Sequence, residues 1–142
     1  MNTIAKRIFL TIFALLIFVE TKPLSASEEQ AIYKACEIIS QATNKTTPRR
    51  VDSLTVLTST ACTKSSGRVI FVLFYQMDLI GPEAVFSAQE IELMRTRMSN
   101  TWCTDKSMSA LLKAMNIRFV YSDQDSRQRA RFDISNRNCG VD

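Results

Sequence analysis

The chain has 142 residues, of which 18 are lysine or arginine, 14 are aspartate or glutamate and none is histidine, giving a formal net charge of +4. The absence of histidine excludes Ser-His-Asp and Cys-His catalytic arrangements and histidine-containing zinc sites. With 3 glycines, 3 prolines and no repeat or low-complexity segment, the chain is not a linker or a disordered tail, and its length suits one small domain.

The N-terminal region is typical of an export signal. Two basic residues, Lys6 and Arg7, precede an uncharged apolar run from Ile8 to Val19, and Leu24-Ser25-Ala26 then offers small residues at a plausible cleavage position. A membrane-spanning helix needs about 20 apolar residues, so this run is too short for an anchor. The order of basic, apolar and small segments therefore predicts a cleaved signal peptide.

The predicted cleavage gives a signal peptide at 1–26 and one mature domain at 27–142. Bacterial lipoprotein signals end in a similar way but require cysteine at the next position, and Ser27 excludes lipid attachment there. Removal of the signal takes away three basic residues and one acidic residue, which leaves 15 basic and 13 acidic residues and a net charge of +2. This small charge gives little reason to expect nucleic-acid binding, and we expect no stable membrane insertion after cleavage.

The first half of the mature chain predicts a helix followed by a β-hairpin. Ser27 and Gln30 match a capping box, with Ser27 as the N-cap. The last segment of this half is apolar at both odd and even positions, which indicates a central strand covered on both faces. The predicted elements are a helix from Ser27 to about Thr43, strands at 50–63 and 69–77, and a turn at 64–67.

The second half predicts two helices followed by two strands. Ser87 and Glu90 match a second capping box, Thr104-Asp105 can cap a shorter helix, and Asn116 is a candidate C-terminal cap. The strands are expected at 117–122 and 127–135, joined by a turn at 123–126. The order α-β-β-α-α-β-β predicts an α+β fold, in which helices pack on an antiparallel sheet of about four strands.

The mature chain has four cysteines, Cys36, Cys62, Cys103 and Cys139. An even number in an exported domain indicates two disulfides, for which three pairings are formally possible. Each half of the domain has one cysteine on a helix and one at a strand end, which favours Cys36–Cys62 and Cys103–Cys139. No CxxC pair exists, so neither a zinc site nor a thioredoxin-like redox site is expected, and we assign no metal or cofactor.

Short motifs between residues 45 and 139 resemble a group of small exported bacterial proteins described as quorum-sensing-regulated virulence factors. The motifs are Thr47-Pro48-Arg49-Arg50-Val51-Asp52 followed by Thr55, Trp102-Cys103-Thr104-Asp105, Leu111-Leu112, Phe119-Val120-Tyr121-Ser122-Asp123 and Cys139. The chain differs from the group in having Ser126 where a glycine is expected in the last turn, and in having the extra pair Cys36 and Cys62. The resemblance implies an exported, helix-on-sheet, non-enzymatic domain, and it supports the pair Cys103–Cys139.

Arg127, Arg129 and Arg131 are the candidate partner-binding residues. Their period-2 spacing predicts that all three guanidinium groups lie on one face of the last strand. Such a row can bind an acidic protein, an anionic lipid or a polysaccharide. The same row is also ordinary for a solvated strand that is protected against aggregation, and we favour that interpretation because several aspartates lie nearby.

The sequence favours an exported, non-enzymatic binding module that contacts another protein, either in the bacterial envelope or in a host. No residue set is assigned a catalytic role, because acids such as Glu90 and Glu92 stand at a helix start, where the helix dipole favours them. Alternatives are an inhibitor or immunity protein, a secreted virulence effector, and a hydrolase that uses carboxylates. The Met-rich helical stripes predict core packing rather than an adaptable binding groove.

Overall fold

Three α-helices and five strands are formed by residues 25–78 and 85–140, the part of the chain that the computed structural model describes. Apart from Ser25 and Ala26, the predicted signal peptide lies outside the described residues. The helices are α1 (Ala26–Asn44), α2 (Ala88–Thr104) and α3 (Lys106–Ala114), and a short 3-10 helix covers Asn136–Cys139. The strands are β1 (Arg49–Arg50), β2 (Thr55–Ser65), β3 (Arg68–Met77), β4 (Asn116–Ser122) and β5 (Gln128–Ile134).

The N-cap of helix α1 lies two residues earlier than predicted. Its N-cap is Ser25, whose side chain accepts a hydrogen bond from the Glu28 N–H, while the Glu28 carboxylate accepts one from the Ser25 N–H at 2.8 Å. The prediction that Ser27 and Gln30 form this capping box is therefore wrong. A carboxylate is a stronger acceptor than a carboxamide, and Glu28 also lies favourably at the positive end of the helix dipole.

The N-terminal caps of the other two helices are those that the sequence predicts. Ser87 and Glu90 form a reciprocal capping box at the start of α2. Asp105 ends α2 and begins α3, where its carboxylate accepts two backbone N–H hydrogen bonds. Asn116 is not the C-terminal cap of α3. That position belongs to Met115, and Asn116 is already the first residue of β4.

The predicted α+β fold is confirmed. Its sheet has five strands in the order β1-β2-β3-β4-β5 and is mixed, rather than antiparallel throughout as predicted. All neighbouring strands are antiparallel except β3 and β4, which run parallel, with Ile70 beside Asn116 and Gln76 beside Ser122. Parallel neighbours require a crossover connection, and α2 with α3 provides it by returning the chain to the start of β3. Strand β1 is a fifth strand of only two residues, which the sequence does not predict separately.

The predicted hairpin joins β2 and β3 through a two-residue turn. Ser66 and Gly67 both have positive φ, at 51° and 70°, as a type I′ turn requires. This turn places Ser65 opposite Arg68 and thereby sets the register of the whole pair. A β-bulge at Thr58 interrupts that register near the other end of β2.

The helices and one face of the sheet enclose the main hydrophobic core. Phe119 lies at its centre, stacked against Phe132 and touched edge-on by Trp102. The predicted core role of the Met-rich helical stripes is supported, because Met115 is buried and Met94, Met98 and Met108 pack against this core. The opposite sheet face has a smaller buried cluster: Ile70, Val72 and Val120. Strand β3 is therefore buried on both faces, as its apolar run indicates.

Both predicted disulfides are present. Cys36 is bonded to Cys62 and links α1 to β2, while Cys103 is bonded to Cys139 and links α2 to the 3-10 helix. The four cysteines of the chain are thus all paired. Because each bond joins a helix to a segment beside or within the sheet, the two bonds fix opposite ends of the helical layer.

Candidate functional site

The three candidate arginines do not form one free row. Arg127 precedes β5 and lies 3.6 Å from Asp125, and both side chains are exposed. Arg129 lies at a register shift between β4 and β5, and its side chain is only 11% exposed because it pairs with Asp123 at 2.6 Å. Of the three arginines, only Arg131 both lies within β5 and is exposed. The shift interrupts the period-2 spacing of the three arginines. A role for these residues in partner binding stays a prediction.

The acidic side chains near this strand are also engaged. Asp133 makes a bidentate pair with Arg118 on β4, with N···O distances of 2.7 and 2.8 Å. Asp123 is 8% exposed and accepts hydrogen bonds from the backbone of Asp125 and Arg127 as well as from Arg129. Many of the charged side chains near β5 are therefore paired with one another within the sheet and in the turn before β5.

The described residues offer little acid–base chemistry. Every carboxyl group whose pKa departs from its ordinary value has a lowered one, through hydrogen bonds from serine or arginine partners: Glu28, Asp78, Glu90, Glu92 and Asp123. A general acid instead needs a pKa raised towards neutrality. Burial raises the pKa of Tyr75 to about 12 and also raises that of Tyr121, so neither phenol ionises at neutral pH. No group of three or more metal-binding side chains occurs in residues 25–78 and 85–140.

The Pro-x-x-Val-Asp-x-x-Thr motif of the family resemblance forms the turn between β1 and β2. The Val51 N–H donates to the Thr55 carbonyl, and the Asp52 carboxylate accepts from the Leu54 N–H at 2.8 Å. Thr55 itself is buried. These contacts give the motif a structural role in shaping the turn.

The outer edge of β2 is the feature that the sequence analysis missed. Strand β1 pairs with this edge only at Val56 and Leu57. Further along, the side chain of Asn44 takes the place of a strand, because its carboxamide accepts from the Thr60 N–H at 2.7 Å and donates to the Thr60 carbonyl at 2.9 Å. The remaining edge, from Ala61 to Ser65, has no neighbouring strand among the described residues.

Two residues of that remaining edge direct their backbone groups outward. In an antiparallel ladder, alternate residues bond to the same neighbour, so Cys62 and Lys64 point the same way as Thr60, away from β3. The hairpin turn gives the same result, because it makes Ser65 and Arg68 a hydrogen-bonded pair. The Cys62 carbonyl accepts from the Tyr33 hydroxyl at a long 3.4 Å, and no described group bonds to its N–H.

A shallow groove of about 200 Å³ lies between this edge and α1. Its lining residues are Tyr33, Glu37, Ser40, Gln41 and Cys62. At one end of the groove, Lys64 pairs with Glu29 at 2.9 Å, donates to Gln30 and lies 5.0 Å from the Tyr33 ring centroid. We call this surface the β2-edge groove. The sequence indicates this groove only in part. Asn44 can be recognised as the end of the helix, but the sequence does not show that its side chain reaches β2.

No family model matches the sequence, and no curated protein matches it. Solved structures of bacterial proteins share the fold. A Pseudomonas aeruginosa protein described as secreted is 11% identical, with a TM-score of 0.61, and the match covers 82% of this chain and 99% of that one. The Vibrio vulnificus type 2 secretion system pilotin EpsS is 11% identical, with a TM-score of 0.62 and coverage of 83% and 100%.

The type II secretion system pilotin AspS from Vibrio cholerae is 10% identical, with a TM-score of 0.59, and the match covers 80% of this chain and 97% of that one. Identities this low establish a shared fold and nothing more. Among the helices of the described residues, none has the length and apolar character that crossing a membrane requires.

Proposed function

We propose that this chain is a non-enzymatic binding module of the bacterial envelope, exported to the periplasm or beyond, and that it acts by holding another protein. The observation that carries the proposal is its architecture, which matches two secretion-system pilotins over nearly their whole lengths. The neighbour from Pseudomonas aeruginosa, described as secreted, agrees with export. A component of secretion machinery works through protein contacts, and this chain is similar in size and shape.

The geometry of the β2-edge groove supports the proposal. It joins a polar cavity to a strand edge that has outward-facing backbone groups, and both are suited to a peptide rather than to a small molecule. Glu37 is the one carboxylate among the lining residues of the groove, and the nearby Glu29 is paired with Lys64, so the groove gives no support to a carboxylate-dependent hydrolase. The two disulfides stabilise the scaffold that carries the groove.

Affinity capture of the mature domain from envelope extracts tests the proposal. We expect one envelope protein to be retained, and to form a complex of fixed stoichiometry when both proteins are purified and mixed. Two matched variants separate the surfaces. Arg127→Ser with Arg131→Ser alters the β5 side, while Glu37→Arg with Gln41→Arg alters the groove, and we expect only the second pair to abolish the complex.

The proposal fails if no purified envelope protein binds the wild-type domain. Loss of the complex in the Arg127→Ser, Arg131→Ser variant alone would instead transfer the binding site to β5. Arg129 is left unchanged in this design, because its buried pair with Asp123 would make any substitution a stability experiment.

A further inference from the structure

We infer that the partner is bound as an extended segment that adds a strand to the outer edge of β2, beside Cys62 and Lys64. This inference rests on the proposed function and specifies how the partner is recognised. Strand addition uses backbone hydrogen bonds for affinity and adjacent pockets for side-chain selection. The β2-edge groove has both of these components within one surface.

The backbone groups define where the segment lies. Cys62 and Lys64 both face away from β3, so an antiparallel segment can exchange two hydrogen bonds with each residue. Only the Cys62 carbonyl has a partner among the described residues, and its 3.4 Å bond from Tyr33 is long enough to be exchanged for a backbone donor. The residues Cys62–Ser65 span roughly 13 Å, which suits a contact segment of about four residues.

The chain already uses the same edge in the same manner. Strand β1 pairs with β2 at Val56 and Leu57, and the Asn44 carboxamide supplies both hydrogen bonds that a strand residue would give to Thr60. An incoming segment at Cys62 and Lys64 would continue this line. The edge is thus built for strand-like neighbours over its first part, and within residues 25–78 and 85–140 no strand covers its last part.

The charged side chains of the groove indicate which type of residue the partner segment carries at this position. Lys64 is already paired with Glu29, whereas Glu37 lines the cavity and makes no ion pair in the described part of the chain. A segment residue whose side chain points towards α1 would enter the cavity of about 200 Å³. A lysine or arginine at that position would neutralise Glu37, so we assign the partner segment a basic residue there.

A second copy of this chain is a poorer occupant of the edge. Pairing two β2 edges across a two-fold axis would bring the two Lys64 side chains close together, and like charges on neighbouring strands are destabilising. The purified domain is therefore expected to be monomeric by light scattering. A dimer that Lys64→Pro dissociates would assign the edge to self-association and overturn the inference.

Photo-crosslinking in intact cells tests where on the domain the partner binds. A photoreactive residue replaces Gln41, which lines the groove, and in a matched control it replaces Leu93, which is exposed on α2. We expect Gln41 to crosslink to one short basic segment of one partner. Crosslinks from Leu93 alone would leave the proposed function intact and overturn the inference. The absence of crosslinks at both positions, together with no captured partner, would refute the proposed function as well.

A synthetic peptide covering the crosslinked segment tests the mode of binding. Lys64→Pro removes an outward N–H without removing a bond to β3, whereas Lys64→Ala removes the same side chain and keeps that N–H. We expect Lys64→Pro to weaken peptide binding at least about tenfold and Lys64→Ala less than about threefold. Equal binding by Lys64→Pro and wild type would overturn strand addition.

Amide hydrogen exchange on the wild-type protein provides a check that does not depend on the proline variant folding. The N–H groups of Cys62 and Lys64 are expected to exchange more slowly when the peptide is bound. Unchanged exchange at both residues in the saturated complex would overturn the inference, whatever the variants show.

Discussion

Asp123 organises the turn between β4 and β5. Burial raises the pKa of its carboxyl group, but hydrogen bonds from the Arg127 N–H and the Arg129 guanidinium outweigh burial, and the pKa lies below its ordinary value. A carboxyl group with a lowered folded-state pKa stabilises the fold above its unfolded pKa of about 4, and that contribution is lost as the pH falls through the folded-state pKa.

We expect Asp123→Asn to lower the stability at neutral pH and to make stability less dependent on pH below about 4. The physical reason is that asparagine cannot gain or lose this proton and cannot pair with Arg129 as an anion. Urea unfolding between pH 2 and pH 7 measures both effects. Asp125→Asn is the matched control, since that exposed side chain makes only a 3.6 Å pair, and a profile for Asp123→Asn that parallels wild type would contradict the account.

The Asn44 side chain makes the two hydrogen bonds to Thr60 that the backbone of a neighbouring strand would otherwise make. We expect Asn44→Ala to destabilise the domain by about 1–3 kcal/mol, because Thr60 loses both hydrogen-bond partners at a partly buried edge. Asn44→Asp keeps an acceptor for the Thr60 N–H but opposes the Thr60 carbonyl, so a similar loss is expected. Gln41→Ala, one turn away on α1, should change the free energy of unfolding by less than about 0.5 kcal/mol.

The disulfides act at the scale of elements. In the chain-entropy model, a bond that closes a loop of 26 or 36 residues stabilises the fold by about 3–4 kcal/mol. We expect Cys36→Ala with Cys62→Ala, and separately Cys103→Ala with Cys139→Ala, to lower the free energy of unfolding by that amount. Denaturant titration measures it, and a loss below about 1 kcal/mol for either pair would show that packing alone holds that helix in place.

Elements whose signals are local could be predicted from the sequence. Ser87 and Asp105 start helices because their side chains satisfy nearby N–H groups, and the chain turns at Ser66-Gly67, where Gly67 adopts positive φ without steric cost. The parallel pairing of β3 with β4 could not be predicted, because it depends on where the α2–α3 crossover returns the chain. The register shift at Arg129, which interrupts the period-2 alternation of the arginines, could not be predicted either, because it depends on how β5 pairs with β4.

The candidate site was harder to predict from the sequence than the fold. The β2-edge groove arises because β1 is only two residues long and Asn44 covers one further position, and neither fact is encoded near Cys62 or Lys64. The cysteine positions did predict both disulfides. An open strand edge is a property of topology, so it becomes visible only once all the strands have been placed.

For the molecule as a whole, the first residues of α1 overlap the end of the predicted signal peptide. Helix α1 starts at Ala26, the last residue before the predicted cleavage, and Ser27 occupies the position at which a lipoprotein signal requires cysteine. We therefore expect the wild-type protein to be released as a free domain beginning at Ser27. Intact mass measurement of the exported protein and its recovery from the aqueous phase of a detergent partition check this expectation.

Ser27→Cys provides the sharpest contrast, because it completes the sequence Leu24-Ser25-Ala26-Cys without altering the apolar run. We expect the variant to gain a lipid-sized mass increment, to incorporate labelled fatty acid and to move to the membrane fraction. Ser27→Ala is the matched control and should remain in the aqueous fraction. Membrane retention of wild type or of Ser27→Ala would mean that the apolar run is an uncleaved anchor, and the β2-edge groove would then act beside the inner membrane rather than on a freely diffusing protein.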